Sequence, residues 1–406
     1  MPIYFIAFVS HIVLLYFSVK ITNKHVSFLL AVISVLPLCL VAGLRDASVG
    51  TDTSAYPLRC FYASQYYSLT GAMGACSDQE PLFVILFWIL GRLTGDFHAV
   101  LFLCEAIVLL PYILVVRKLY PRGYPIVGFF LCFVVFGYTL NIIRQCIATS
   151  MLVMMVYELF REKRGPAIVF LFLAVGFHKM SIMGLFIWII YISCFNRGRE
   201  RSYKTVALLA CVGVIIFTIC VIMIGPDVME IVSLFTSSYS FQIKHAGMGS
   251  FNTTMLIYFL FCLAIWMLGS KGLITSFDRW TLNFYTSSGI ISSLFAQLAS
   301  ISPELIRLSF PFLFISGFVY PFLSENLGRE RFLTGALGVL FFVIYFVITF
   351  VWRQLRSFSV FVGTIRSYLC MTKRLTSVLL YRYITPSVFS PLVWNLLIFK
   401  EPALLR

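Results

Sequence analysis

Long apolar segments separated by short polar links dominate this chain and restrict the environment in which it can fold. Of its 406 residues, 60% are hydrophobic and 12% are charged, and the mean hydropathy is +0.95. A helix of about 20 apolar residues spans a lipid bilayer. The sequence therefore predicts an all-α polytopic membrane protein without a polar stretch long enough for a separate soluble domain.

The apolar segments predict about 12 transmembrane helices within a single domain, residues 1–351. They lie near residues 3–19, 26–44, 97–116, 124–140, 142–160, 166–177, 180–195, 206–224, 254–270, 281–300, 305–323 and 333–351. Residues 352–406 form a basic tail with no acidic residue before Glu401. We expect this tail to lie amphipathically on a membrane surface, unless one span near the end is misassigned.

The formal net charge of +15 reflects membrane orientation and not nucleic-acid binding, so no nucleic-acid partner is expected. Lysines and arginines occur in short clusters between apolar segments. These clusters lie near residues 20–24, 117–122, 161–164, 197–204, 271–279 and 329–331. Because positive charge marks cytoplasmic loops, we place the clusters inside and the N-terminus outside.

One apolar segment, Pro81 to Leu93, does not fit this alternation. If it crossed the bilayer, the basic clusters on either side of it could not both be cytoplasmic. As a helix, its apolar core at 81–90 covers only about 15 Å of a hydrocarbon layer about 30 Å thick. We therefore expect a re-entrant or interfacial helix, with proline in its first turn, inside the long outer loop 45–96.

The apolar segments 166–177 and 180–195 present a second irregularity. Together they would form one helix of about 45 Å, which is too long for an upright span. The polar residues His178 and Lys179 interrupt the run. A helix broken there, lining protein or water, is one interpretation; a single tilted helix with His178 along its side is the other.

In this topology the informative polar residues collect on the outer face. They are Arg45, Asp46, Thr51, Asp52, Tyr56, Glu80, Asn141, Arg144, Gln145, His178 and Arg307. Charged side chains near membrane depth are costly unless they line a wet cavity or handle a substrate. Three of them are arginines at the outer ends of helices, where guanidinium groups suit a diphosphate.

These arginines also have structural explanations. Arg144 could pair with Asp46 or Glu80, and Arg307 could pair with Glu304 three residues earlier. Neither pairing would require a substrate.

Two residues are candidate catalytic bases. His178 can exchange a proton near neutral pH, and Asp52 lies among hydroxyl groups that include Thr51 and Tyr56. A histidine bonded to a neighbouring helix and an aspartate that stabilises its loop are the structural alternatives. Because no metal-ligand spacing, GxSxG motif or P-loop occurs, we expect neither a metal nor another cofactor.

The 11 cysteines show no CxxC or Cys/His spacing. Most lie in or beside apolar segments, where a thiol behaves as a small buried apolar group. Cys60 and Cys76 differ, because both lie in the outer loop. Whether they form a disulfide depends on the redox state of that side, and the question stays open here.

Four segments resemble the ordered motifs of the EpsG family, which is similar in role to Wzy-type O-antigen and capsule polymerases. They are Arg45 with the stretch 49–56, Glu80-Pro81-Leu82-Phe83, Asn141-Ile142-Ile143-Arg144-Gln145-Cys146-Ile147-Ala148, and Phe177-His178-Lys179-Met180-Ser181. The motifs cover about residues 40–190, and their order and topology extend the resemblance to about residue 350. The Lys-Met pair after His178 and the basic tail depart from the family pattern.

The resemblance implies a glycosyltransferase of the bacterial inner membrane with a periplasmic active face, independent of metals and nucleotides. It implies undecaprenyl-diphosphate-linked oligosaccharide repeat units as substrates, joined into O-antigen, capsule or exopolysaccharide. A chain-length regulator and a flippase are the expected protein partners. His178 or Asp52 would be the catalytic base, and the other outer-face residues would bind substrate.

Two other functions share the same composition. A flippase for lipid-linked oligosaccharides would need a cavity that opens to both faces, whereas the polar residues here lie on one side. A membrane glycosyl- or acyltransferase with another lipid or acyl donor would modify a product without changing polymer length.

Overall fold

The computed structural model describes residues 2–195, 253–270, 279–298 and 303–326, and the structural statements below concern these residues. Over them the chain is helical and has no β-strand, which confirms the predicted all-α class. The basic tail and the predicted spans 206–224 and 333–351 lie outside the described residues.

The helices follow one another with short connections. In the first part they are α1 (Pro2–Lys20), α2 (Lys24–Ile33), α3 (Leu36–Gly43), α4 (Thr51–Ala55), α5 (Pro57–Tyr66), α6 (Leu69–Ala75), α7 (Pro81–Thr94) and α8 (Phe97–Leu119). The later ones are α9 (Tyr124–Thr139), α10 (Ile143–Phe160), α11 (Arg164–Phe177), α12 (Gly184–Phe195), α13 (Thr253–Ser270), α14 (Arg279–Gln297), α15 (Phe310–Ser316) and α16 (Val319–Asn326). The 3-10 segments Lys179–Met183 and Pro303–Leu308 precede α12 and α15.

Five described helical segments are long and apolar enough to cross a bilayer. They are Ile3–Lys20, Lys24–Gly43, Phe97–Leu119, Ile143–Phe160 and Ile306–Asn326. Other predicted spans correspond to shorter apolar helices, among them α9, α11 and α12. The membrane class is therefore supported, while the predicted number of about 12 spans stays a prediction.

Helix α10 lies at the centre of the described bundle, where it packs against α8, α11 and α15. Aromatic rings link the early helices to the late ones. Tyr112 of α8 donates its hydroxyl to the carbonyl of Phe314 and meets the ring of Phe318 edge-on, with the centroids 4.9 Å apart. This packing fixes α8 against α15.

The short helix α7 has the bounds that the sequence predicts. Glu80 is its N-cap, Pro81 occupies its first turn, and Gly95 ends it with a left-handed φ of 64°. Its 14 residues span about 21 Å, less than a bilayer core. It packs closely on α5, because Gln65 donates to the carbonyl of Gly91 over 2.9 Å.

The helix is interrupted at His178, so the alternative of a single tilted helix is wrong. Helix α11 ends at Phe177, His178 has extended backbone angles (φ −159°, ψ 118°), and a 3-10 segment leads into α12. The first residue of α12, Gly184, lies so close to Leu152 and Leu171 that a Cβ atom would be within 2.7 Å of both. The break therefore places the imidazole at the end of α11 instead of along the side of a helix.

The start of α4 is held on the connection between α9 and α10. Gly50 precedes α4 with φ +89°, a value that L-residues rarely adopt. The backbone N–H of Asp52 donates to the side-chain oxygen of Asn141 over 3.2 Å, and Thr53 donates to the carbonyl of Leu140 over 3.2 Å. This contact places Asp52 and Tyr56 beside the first turn of α10.

We predict that Gly50→Ala displaces α4. A Cβ atom at this position would lie 2.1 Å from the carbonyl oxygen of Leu140, and the left-handed φ adds a cost of about 1–2 kcal/mol. The purified variant in detergent should melt several degrees below the wild type in a thermal-shift assay. Gly74→Ala is the matched control, since nothing lies within 4 Å of its Cβ position; equal melting of the two variants would contradict this account.

Candidate functional site

Four segments distant in sequence meet around one cavity. They are the start of α4, the first turn of α10, the break at His178 and the 3-10 segment before α15. The cavity has an empty volume of about 240 Å³. Its lining consists of Asp52, Tyr56, Pro57, Ile142, Ile143, Arg144, Gln145, His178 and Arg307. All of the charged residues in this lining were predicted site residues.

Glu80 connects two of the lining residues. One carboxylate oxygen accepts a hydrogen bond from Arg144 at 2.8 Å, and the other is 2.9 Å from Nδ1 of His178. The backbone N–H of Lys179 donates to that second oxygen over 3.3 Å. The carboxylate therefore ties α7, α10 and the helix break together, and of the predicted acids Glu80, not Asp46, is the partner of Arg144.

The charge state of Glu80 follows from its surroundings. Burial alone would raise its pKa, but the hydrogen bond from His178 and the charges of His178 and Arg144 outweigh burial and lower the pKa to about 2. The group is therefore a carboxylate at neutral pH. A carboxylate can only accept hydrogen bonds, so the facing Nδ1 of His178 carries its proton.

This arrangement leaves the other ring nitrogen of His178 available. With the proton on Nδ1, Nε2 of a neutral imidazole has a free lone pair, and it has no hydrogen-bond partner among the described residues. A carboxylate that orients an imidazole in this way is the arrangement by which hydrolases hold a histidine as a general base. The pair can do the same for a hydroxyl that reaches Nε2, which is itself buried beside the cavity.

Arg144 is held from two sides. Glu80 accepts from one of its terminal nitrogens, and the ring of Tyr56 lies under the guanidinium carbon at 4.3 Å. The ring of Phe83 is farther away, at 5.8 Å. The remaining N–H groups of Arg144 have no hydrogen-bond partner in the described part of the chain. The guanidinium thus keeps donors that a phosphate can accept from.

A second ion pair lies across the cavity. Arg307 is 3.5 Å from the carboxylate of Asp52, and its own backbone carbonyl accepts from the side-chain amide of Gln145. Asn141 holds the backbone N–H of Asp52. The alternative pairing of Arg307 with Glu304 is not tested, since the Glu304 side chain lies outside the described residues.

Five predicted site residues are not in the cavity lining: Glu80 and Asn141, which bond to lining residues, and Arg45, Asp46 and Thr51. Arg45 is buried behind α4, where its nearest acceptors are the carbonyl of Ala42 at 3.3 Å and the hydroxyl of Thr53 at 3.4 Å. Asp46 is exposed and accepts from the backbone of its own loop. The side chain of Thr51 is outside the described residues. The predicted binding roles of these three residues stay predictions.

One buried acid was missed by the sequence argument. Glu105 is fully buried within α8, where one oxygen accepts from the Thr139 hydroxyl at 2.9 Å and the other has no partner among the described residues. A single glutamate inside a 23-residue apolar helix was the available signal. It does not line the cavity and lies close enough to interact with Arg45, which is buried behind α4.

No cluster of three or more His, Cys, Asp or Glu side chains suitable for a metal occurs among the described residues. The carboxylates at the cavity are instead engaged by arginines and by His178. Chemistry without a metal or nucleotide stays a prediction.

Comparison with known proteins places the chain in a family. The model of the EpsG family matches residues 28–369, so the chain belongs to the EpsG family. That family is associated with polysaccharide polymerases and Wzy-like membrane proteins, which makes this chain a membrane protein of polysaccharide biosynthesis. No curated protein and no solved structure matches it significantly.

The low pKa of Glu80 predicts how Glu80→Gln alters stability with pH. A group whose pKa is lower in the folded protein stabilises it above the unfolded value, here 4.5, and loses this effect as the pH falls toward about 2. The melting temperature of the variant should therefore be below that of the wild type at pH 7 and pH 5. The difference between the two melting temperatures should become smaller below pH 4.5. Melting curves of both proteins in detergent check this.

Asp78→Asn is the control for that series. Asp78 pairs with Arg59, but both side chains are about half exposed, and such surface pairs contribute little. Its melting temperature should stay close to the wild-type value at every pH. If the difference in melting temperature between Glu80→Gln and the wild type increased as the pH fell, Glu80 would not be a carboxylate with a lowered pKa.

Proposed function

We propose that this protein joins undecaprenyl-diphosphate-linked oligosaccharide repeat units into a polysaccharide at the periplasmic face of the bacterial inner membrane. The observation that carries the proposal is the meeting of a carboxylate-bound imidazole and two arginines at one cavity. An activated hydroxyl and a diphosphate leaving group require these two kinds of side chain. Membership of a family associated with polysaccharide polymerases supports the same reaction.

The reaction is a glycosyl transfer between two lipid-linked chains. A hydroxyl oxygen of the incoming repeat unit attacks the anomeric carbon of the growing chain. The bond from that carbon to the diphosphate oxygen breaks, and the lipid diphosphate leaves with the electron pair. The hydroxyl proton passes to Nε2 of His178, while Glu80 holds the imidazole in the required orientation and stabilises the imidazolium that forms.

The arginines stabilise the leaving group. Arg144 and Arg307 both line the cavity. A guanidinium group keeps its charge when partly buried and can bind two phosphate oxygens at once. Negative charge on the diphosphate grows as the bond breaks, so fixed positive groups lower the energy of the transition state more than that of the bound substrate. Arg45 serves this site indirectly, through the position of α4.

Asp52 has a different role from His178 in this proposal. Its carboxylate lies against Arg307, and Asn141 fixes its backbone. It therefore positions Arg307 for the diphosphate, whereas the orientation by Glu80 makes His178 the base. Loss of Asp52 should resemble loss of Arg307 more than loss of His178.

The charged lining residues surround a single cavity. The reacting centre and the diphosphate would lie against this lining, with the sugars and the lipid chains extending beyond it. A flippase would instead need a path for the whole oligosaccharide through the bilayer, so a single charged site favours the polymerase.

The test is the length of the surface polysaccharide in the parent bacterium. Cells in which His178→Ala or Arg144→Ala replaces the wild type should carry single-repeat glycolipid without the ladder of longer chains. Loss of one stabilising donor costs a rate factor of about 100–1,000, enough to remove long polymers. Gel electrophoresis of the glycolipid measures the result.

Controls separate this outcome from misfolding and from the rival functions. His25→Ala and Arg164→Ala remove exposed residues distant from the cavity lining and should leave the ladder intact. All variants must reach equal levels in the membrane. A normal ladder in His178→Ala would overturn its role as base. Loss of a substituent at unchanged polymer length would point to a different transferase, and repeat units retained on the cytoplasmic side would point to a flippase.

A further inference from the structure

Two cysteines in the outer loop lie in contact. Cys60 belongs to α5 and Cys76 caps the end of α6, and their sulfur atoms are 3.1 Å apart. Both residues are buried, with exposures of 2% and 0%. The other described cysteines lie in the apolar helices outside this loop. Because a disulfide bond is about 2 Å long, the two sulfurs need to approach by only about 1 Å to form one.

Other uses of this thiol pair find no support in the described part of the chain. No third His, Cys, Asp or Glu completes a metal site there. Burial raises the pKa of the Cys60 thiol, which makes it a poor nucleophile. Packing as two small apolar groups is the remaining alternative, and the experiment below separates it from a covalent bond.

Each of the two cysteines is linked to a different residue that holds Arg144. The backbone N–H of Cys60 donates to the carbonyl of Tyr56, whose ring lies under the guanidinium of Arg144. Four residues after Cys76 comes Glu80, which pairs with the same guanidinium. A bond between the two sulfurs would therefore join the segments that hold Arg144 from its two sides.

The intervening contacts support this connection. The carbonyl of Cys76 accepts from the backbone N–H of Gln79, which forms the turn that leads into Glu80. Arg59, next to Cys60, pairs with Asp78 inside that turn. That ion pair is largely exposed and contributes little by itself, so a covalent link beside it would be the main restraint.

We propose that Cys60 and Cys76 are oxidised to a disulfide that holds Tyr56 and Glu80 around Arg144. The two thiols lose two protons and two electrons, and a protein disulfide of a periplasmic thiol oxidase accepts the electrons and becomes a dithiol. The location of the loop in an oxidising compartment rests on the proposed function. Since both thiols are buried in the folded protein, the exchange takes place before α5 and α6 pack.

The first test is thiol labelling of the full-length protein in cells. Cells are quenched with acid, the protein is denatured, free thiols are blocked with N-ethylmaleimide, and thiols released by dithiothreitol are then labelled with a maleimide polymer that slows the protein on a gel. The wild type should gain two labels after reduction, and Cys60→Ser and Cys76→Ser should gain none. Cys132→Ser, in an apolar helix, should behave like the wild type.

Blocking of both thiols by N-ethylmaleimide before reduction would overturn the proposal. A strain without its periplasmic thiol oxidase should give that same unoxidised pattern for the wild-type protein, and retention of the two labels there would contradict the proposed electron acceptor.

The side of the membrane on which the loop lies is measured separately with Tyr66→Cys, since Tyr66 is 78% exposed on α5. A membrane-impermeant maleimide should label this position in intact cells permeable only at the outer membrane.

A second measurement distinguishes the covalent link from packing. Dithiothreitol present during the thermal unfolding scan should lower the melting temperature of the wild type by several degrees. The melting temperature of the double variant Cys60→Ala/Cys76→Ala should not change with dithiothreitol. Equal curves for the wild type with and without reductant would overturn the restraining role of the bond. Packing alone would instead make the double variant less stable than the wild type, while the wild type itself would not respond to reductant.

Failure of this inference and failure of the proposed function give different results. Labelling and melting need no polymer, so they report on the disulfide even if the glycan is unaffected by His178→Ala. Conversely, free thiols together with loss of the ladder in His178→Ala would remove the disulfide and keep the polymerase. Labelling of Tyr66→Cys only after the inner membrane is opened would overturn both.

Discussion

The site depends on the contacts that the carboxylate of Glu80 makes. This carboxylate accepts hydrogen bonds from Arg144, from His178 and from the backbone of Lys179, and so joins three segments between residues 80 and 179. Arg144 and His178 are largely buried, and a buried guanidinium without a partner would cost several kcal/mol. The same contact sets which ring nitrogen of the imidazole faces the carboxylate and carries a proton. Structural pairing and catalytic orientation are thus two consequences of one interaction, and the pairing of Arg144 with an acid does not compete with a role in catalysis.

A membrane environment explains why the site lies where helices end or break. Inside the hydrocarbon layer each backbone group must be satisfied, so irregular backbone is tolerated only where it contacts protein or water. The break at His178, the positive φ at Gly50 and the 3-10 segment that contains Arg307 all occur near one cavity. The proposed disulfide would add a covalent restraint to the outer loop beside it.

How much of the site could be predicted differs between its residues. Alternation of apolar segments and basic clusters was sufficient to place Asp52, Arg144, His178 and Arg307 at one end of the bundle, and these four line the cavity. It was not sufficient for Arg45, which was predicted to lie at the same depth but is buried behind α4. The alternation predicts depth alone, whereas membership of a cavity also depends on the direction in which a side chain leaves its helix. That direction follows from the packing of helices far apart in sequence.

The sequence by itself determined the helical membrane class, the short helix after Glu80 and the family, because these depend on hydropathy, proline and ordered motifs within local windows. It left open whether the helix breaks at His178, and the structure decided that it does. Only the tertiary structure decided that Arg144 pairs with Glu80, that Asp52 faces Arg307, and that the buried Glu105 bonds Thr139. The reason is physical: a charged side chain near the membrane needs a partner, and several acids at the same depth could provide one. The packing of α7, α10 and the segment before α15 brings Glu80 within 4 Å of Arg144 and Asp52 within 4 Å of Arg307.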